Sequence, residues 1–117
     1  MTGGRLLRLK KTLSKYDEFM LTYGDGVSDV NIAQAIEFHN TKEALITMTA
    51  IQPPGRYGAL DINENNAINE FMEKPKGDGA WINGGFFVCK PEVINYIDND
   101  LTIFEQEPLT NLALEGQ

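Results

Sequence analysis

An α/β domain is the fold class that this sequence predicts, and three observations predict it. Phe19-Met20-Leu21-Thr22 and Ala44 to Ile51 are short apolar runs of the kind that form buried strands. Between them an amphipathic stretch, Val30 to about Phe38, has helical spacing, so the order is strand, helix, strand. That order suggests a right-handed βαβ unit and a parallel sheet. The third observation is the turn Tyr23-Gly24-Asp25-Gly26 at the end of the first run. Ligands of open α/β sheets bind at this carboxyl edge. Flanked by two glycines, Asp25 has little side-chain bulk to shield it. A carboxylate held there can ligate a hard cation such as Mg²⁺, which takes one or two carboxylates plus phosphate oxygens. Asp is also a favoured turn residue in its own right, and the octamer alone does not separate the two roles.

The elements follow in order. Leu6, Leu9 and Leu13 have helical spacing, with Thr2 as a candidate cap. Arg5 falls in the first turn beside Gly3 and Gly4, where free N–H groups and a guanidinium together suit an anion. The other basic residues of this stretch read as a solvated face. Asp29 is the expected cap of the helix from Val30, which places Ile32, Ala35, Ile36 and His39 on one side. His39, at the helix end where the dipole favours a cation, reads as structural. Pro53 and Pro54 close the second strand. Tyr57–Ile62 and Ala67–Met72 form a hairpin around Asn63-Glu64-Asn65-Asn66. Trp81–Cys89 is the next strand, Pro91 opens a helix to about Ile97, and Glu107-Pro108 start the last one.

Size and charge bound the function. The chain has 117 residues, of which 42% are hydrophobic, enough for the core of one small domain. A net charge of −7 argues against nucleic-acid binding, which requires a basic face. Local cations or a metal ion still permit a small anionic ligand. Cys89 is the only cysteine, so no internal disulfide forms. No apolar run is long enough to span a membrane, and no apolar leader opens the sequence. A cytoplasmic location is the expectation.

Three further groups suit a ligand. Glu73 and Lys74 precede Pro75, which pushes its neighbour to extended geometry. Two such charges can hold a sugar's hydroxyls and its phosphate, or simply form a solvated loop. Asn83-Gly84-Gly85 can present an amide and bare backbone to a hydroxylated ligand, or form a bulge. Trp81, Phe86 and Phe87 read as core, and Cys89 as a small buried hydrophobe. Neither a phosphate loop of the Walker type, nor a dinucleotide fingerprint, nor zinc-ligand spacing occurs.

The runs Tyr-Gly-Asp-Gly-Val-Ser-Asp-Val at 23–30, Gln-Pro-Pro-Gly-Arg-Tyr-Gly-Ala-Leu-Asp at 52–61, Glu-Lys-Pro at 73–75 and Gly-Asp-Gly-Ala-Trp-Ile-Asn-Gly-Gly-Phe-Phe-Val at 77–88 carry a resemblance. Together they resemble the sugar nucleotidyltransferases, and within them the glucose-1-phosphate cytidylyltransferase branch. Glu-Lys-Pro is broad in that superfamily, whereas the 52–61 and 77–88 runs are particular to the branch. The resemblance covers essentially the whole chain. It implies a Rossmann-like, mixed and mostly parallel sheet flanked by helices. It further implies an enzyme that joins CTP to glucose 1-phosphate and releases pyrophosphate, with Mg²⁺ as cofactor. By residue, it implies Asp25 as metal ligand, Arg5 and Gly24 at the nucleotide, Glu73 and Lys74 at the sugar phosphate, and Asn83 at the sugar.

Measured against that family, residues 1–117 correspond to a single partial domain, the central portion. The glycine-rich Arg/Lys loop that begins the family pattern and the later segment with a second metal-binding aspartate have no counterpart here. The expectation is therefore little turnover by the isolated chain, and a homo-oligomer, most simply a dimer, that covers exposed sheet edges. The alternative is a non-catalytic domain that binds a sugar phosphate or assembles with itself.

Overall fold

The computed structural model describes residues 1–53, 59–72 and 80–117, without the side chains of residues 59, 61, 71 and 72. The chain forms two compact units, one of residues 1–48 and 85–117 and one of residues 49–84.

The first unit begins with two short helices, α1 (Thr2–Arg8) and α2 (Lys10–Leu13), where leucine spacing suggests one. The break is at Leu9, whose N–H turns back to the Leu6 carbonyl at 2.9 Å, a tight three-residue closure. Thr2 is not the cap: the position before α1 is Met1, and no side chain bonds the helix start. Gly3 and Gly4 are buried because α1 lies directly on the segment 100–102. A methyl at Gly3 would stand 2.8 Å from the Thr102 carbonyl oxygen, and one at Gly4 would collide with that of Asp100.

Strand β1 (Phe19–Thr22) pairs antiparallel with the long strand here called β5 (Ile82–Cys89), Phe19 facing Cys89 and Thr22 facing Phe86. Strand β2 (Ile46–Ile51) completes a three-stranded sheet in the order β1-β5-β2. The α/β class holds. Strands β1 and β2, joined through a helix as the strand–helix–strand order suggests, are not neighbours, because β5 lies between them. Connecting β1 to β2 is α3 (Ile32–Asn40), which starts two residues later than expected. Asn31 caps it, its side-chain oxygen accepting from the Gln34 N–H at 3.1 Å, and Asp29 does not. After β5, Pro91–Tyr96 is a 3₁₀ helix rather than an α-helix, and α4 (Glu107–Leu114) carries Pro108 in its first turn.

The core of this unit joins Leu6, Phe19, Phe87, Cys89, Val93, Ile94, Ile97, Phe104 and Leu112. The Phe87 ring stands edge-on to Tyr23 at 6.0 Å and to Phe104 at 6.1 Å. Burying each large apolar side chain contributes roughly 1.5–3 kcal/mol. His39 is also fully buried, its Nδ1 2.8 Å from the Thr47 hydroxyl, while Nε2 has no partner among the described residues. Burial, and then the charge of Lys90, hold its pKa below the ordinary 6.5, against a smaller opposing pull from Glu18. Desolvation, the largest of these influences, disfavours the cation that a helix end would favour, and the structural role expected of His39 fits its burial. Cys89 behaves as expected, and burial pushes its thiol up to about 12.

The second unit contains the hairpin β3 (Ala59–Ile62) and β4 (Ile68–Met72), with Leu60 facing Phe71 and a register break between Asp61 and Ile62. Asn63 builds its turn: the side-chain oxygen accepts from the N–H groups of Asn65 and Ala67, both at 3.0 Å. Asn66 takes the left-handed conformation, φ 59°, that asparagine tolerates. Among the described residues of this unit no side chain is buried. Trp81, expected in the core, is 67% exposed.

Candidate functional site

A cleft of about 540 Å³ opens in the first unit. One wall is a face of α1, where Arg5 and Leu6 follow Thr2 by three and four residues, together with Leu9 just past the helix end. Opposite them run Leu21 to Asp25, the end of β1 and its turn, and Phe104 and Glu105 complete the lining. The turn is closed by the Gly26 N–H donating to the Tyr23 carbonyl at 3.2 Å, which leaves Gly24 and Asp25 at its tip. Asp25 is exposed there. A Cβ at Gly24 would meet nothing within 4 Å, and its φ is not positive. Neither packing nor backbone strain requires glycine at 24, so the bare backbone is free space facing the cleft.

Three of the residues singled out in the sequence thus converge: Arg5, Gly24 and Asp25. For Arg5 the expected reason changes. Helix α1 has only seven residues, and the Gly3 N–H donates to the Thr102 carbonyl at 3.0 Å, so the helix start is closed to an anion. What Arg5 offers is its guanidinium, which is in no ion pair among the described residues. Asn83 is half-buried on β5 in the second unit and does not line this cleft. Gly84 and Gly85 do not present bare backbone to a ligand. A Cβ at Gly84 would stand 2.9 Å from the Thr49 carbonyl oxygen, and one at Gly85 would stand 2.7 Å from the Tyr23 ring. Gly85 also has φ +79°, the left-handed region. Glu73 and Lys74 lie outside the described residues.

Sequence reading missed Thr2, Tyr23, Phe104 and Glu105 as parts of the site. The Thr2 hydroxyl accepts from the Phe104 N–H at 3.0 Å and donates to Glu105 Oε2 at 2.6 Å. One signal for Thr2 existed, its place three residues before Arg5. Nothing near Glu105 distinguishes it from Glu107 on the same polar turn. Among the described residues the charged lining is one cation, Arg5, against two carboxylates, Asp25 and Glu105. An anionic ligand entering this cleft requires an accompanying cation, and Asp25, exposed on a fixed turn, is placed to share one. Among the described residues no three His, Cys, Asp or Glu side chains gather as a self-sufficient metal site. One carboxylate completed by ligand phosphates fits what Mg²⁺ uses.

Comparison with known proteins agrees in fold and sequence. The family model of nucleotidyl transferases matches residues 5–112. Glucose-1-phosphate cytidylyltransferase of Salmonella typhimurium is 54% identical over 117 residues, all of this chain and 45% of that protein. A mannose-1-phosphate guanyltransferase of Yarrowia lipolytica is 33% identical over 117 residues, 96% of this chain and 32% of the relative. The crystal structure of HddC from Yersinia pseudotuberculosis superposes with a TM-score of 0.60 at 24% identity, over 91% of this chain and 47% of that one. The chain thus spans less than half the length of each. No helix among the described residues is long and apolar enough to cross a membrane.

Proposed function

This chain belongs to the nucleotidyl transferase family, and on that premise we propose that it is a segment of a glucose-1-phosphate cytidylyltransferase. The reaction is the joining of CTP and glucose 1-phosphate into CDP-glucose with release of pyrophosphate. The observation that carries this reading is 54% identity to the Salmonella enzyme along the whole of this chain. The cleft supports it chemically. In-line transfer has the sugar phosphate oxygen attack the α-phosphorus while the bond to pyrophosphate breaks, and it depends on positioning and charge stabilisation. Arg5 holds nucleotide oxygens, and the bare backbone at Gly24 lets the nucleotide approach. Asp25 is the residue to hold Mg²⁺, which when bound neutralises phosphate charge. Glu73 and Lys74 serve the sugar phosphate and Asn83 the sugar.

By itself the chain is expected to bind its ligands weakly and to turn over little. One guanidinium and one exposed carboxylate are few groups to align a triphosphate. The second reading, a self-assembling domain, is favoured by one feature, the apolar residues exposed on the second unit. An assay of pyrophosphate and CDP-glucose formation from CTP and glucose 1-phosphate tests the proposal, with the Salmonella enzyme as positive control. Weak binding of both substrates with little product is expected. No binding of either substrate at millimolar concentration overturns the reading. Robust CDP-glucose formation that disappears in Asp25→Asn would show that this segment suffices for catalysis.

A further inference from the structure

Arg5 and Glu105 line the same cleft, yet they are not an ion pair. A guanidinium and a carboxylate that line one cleft attract each other, and the Thr2 hydroxyl is bonded to that carboxylate. This hydroxyl has one proton and donates it to Glu105 Oε2 at 2.6 Å, a short, charge-assisted bond. The same oxygen accepts from the Phe104 N–H at 3.0 Å, which fixes the hydroxyl's direction. Phe104 is itself anchored in the core, 1% exposed and edge-on to Phe87. The hydroxyl is therefore held rigidly, on the same helical face as Arg5 and one turn before it. We propose that Thr2 is a positioning residue for the nucleotide: by holding the Glu105 carboxylate it keeps that carboxylate from pairing with Arg5 and leaves Arg5 available to the anionic end of the ligand. This rests on the reading of the cleft as the nucleotide site.

The consequence is a distinct pattern of rescue. Without the Thr2 hydroxyl, Glu105 turns to Arg5 and competes with the nucleotide. Removing the carboxylate's charge as well ends that competition, although the Thr2 bond stays lost. A hydroxyl that served only to stabilise α1 would give the opposite result, with the double change no better than the single one.

The test is titration of the full chain with CTP in the presence of Mg²⁺, followed by calorimetry or ligand-observed NMR. Arg5→Ala and Thr2→Val are each expected to weaken CTP binding about tenfold, the scale of one charged hydrogen bond. Thr2→Val combined with Glu105→Gln is expected to return to within about threefold of the parent, and Thr2→Ser to match it. A double variant that binds no better than Thr2→Val overturns the proposal, as does a Thr2→Val chain with parental affinity. Should Thr2→Val fail to fold, Glu105→Gln alone decides: binding at least as tight as the parent supports the proposal, and weaker binding overturns it. Unchanged affinity in Arg5→Ala, or no CTP binding by the parent at millimolar concentration, fails the nucleotide reading itself and takes the proposal with it.

Discussion

The two units use apolar residues in opposite ways. In residues 1–48 and 85–117 the large apolar side chains converge, and nine hydrophobic residues from Leu6 to Leu112 are buried together. In residues 49–84 the strands carry apolar residues too, yet Leu60 is 50% exposed, Ile62 53% and Ile68 61%. Both patterns meet the rule for a strand face that seeks cover. The difference lies in what is available to pack against. The first unit has helices and a 3₁₀ segment to lay on its sheet. Among the described residues the hairpin has no second layer of its own, and a two-stranded hairpin alone is marginal in water. Apolar residues in a strand are therefore evidence that a face requires cover, and not that the same chain supplies it.

Core truncation gives the largest effect expected from this contrast. Phe104→Ala in the first unit should cost about 3–5 kcal/mol, and Leu112→Ala about 2–5 kcal/mol. Ile68→Ala in the second should cost less than about 1 kcal/mol. Urea unfolding of the three variants measures this. Equal losses would mean that the exposed hairpin face is covered in solution. Assembly comes next. If the second unit's apolar surface drives self-association, the parent chain should sediment as a homo-oligomer, and Ile68→Lys with Trp81→Ser should shift it toward monomer. A parent that stays monomeric at high concentration would show that this surface tolerates water unaided.

Smaller is the effect of pH through His39. Its pKa is below 6.5 in the folded chain and ordinary in the unfolded one, so the unfolded state takes up the proton first. Stability is then fully present above about pH 6.5 and is lost as pH falls from there toward the lower folded value. Thermal midpoints between pH 8 and 5 should fall on the acid side, and the fall should shrink in His39→Gln. An unchanged slope in that variant would place the acid sensitivity elsewhere. Smallest of all is Arg8→Ala. The Arg8–Asp100 pair is bidentate, at 2.9 and 3.0 Å, but both side chains are more than 60% exposed, and such pairs contribute roughly 0–1 kcal/mol.

Legibility divides along the same line. Strand β1, its glycine turn and Asp25 were readable because an apolar run, a turn and a helix follow one another within twenty residues. The hairpin was readable from its asparagine turn. Local signals failed where a tertiary contact decides. Thr2 has the chemistry of a cap, but the Phe104 amide and the Glu105 carboxylate, a hundred residues away, claim its hydroxyl. Leu9 continues a leucine pattern through a helix break. Asp29 and Asn31 are both good caps, and only the chain path into α3 chooses between them. Trp81 carries the composition of a core residue without a core to enter. Strand order was the hardest element to read, since nothing in β1 or β2 announces that a strand sixty residues later will separate them.

The buried cysteine gives the chain an internal clock. Cys89 has no exposed surface, and its thiol, raised to about 12, holds almost no thiolate at neutral pH. An alkylating reagent can reach it only when the strand that carries it opens. Because the chain has one cysteine, every labelling event reports the same opening. In the limit where the reagent is slow, the labelling rate divided by that of the unfolded chain is an equilibrium constant for exposing the center of the first unit. Residues 49–84 carry no thiol and stay silent in that measurement. A ligand seated in the cleft beside β1 should slow the clock in proportion to its affinity, so substrate binding can be followed without turnover and without modifying the ligand.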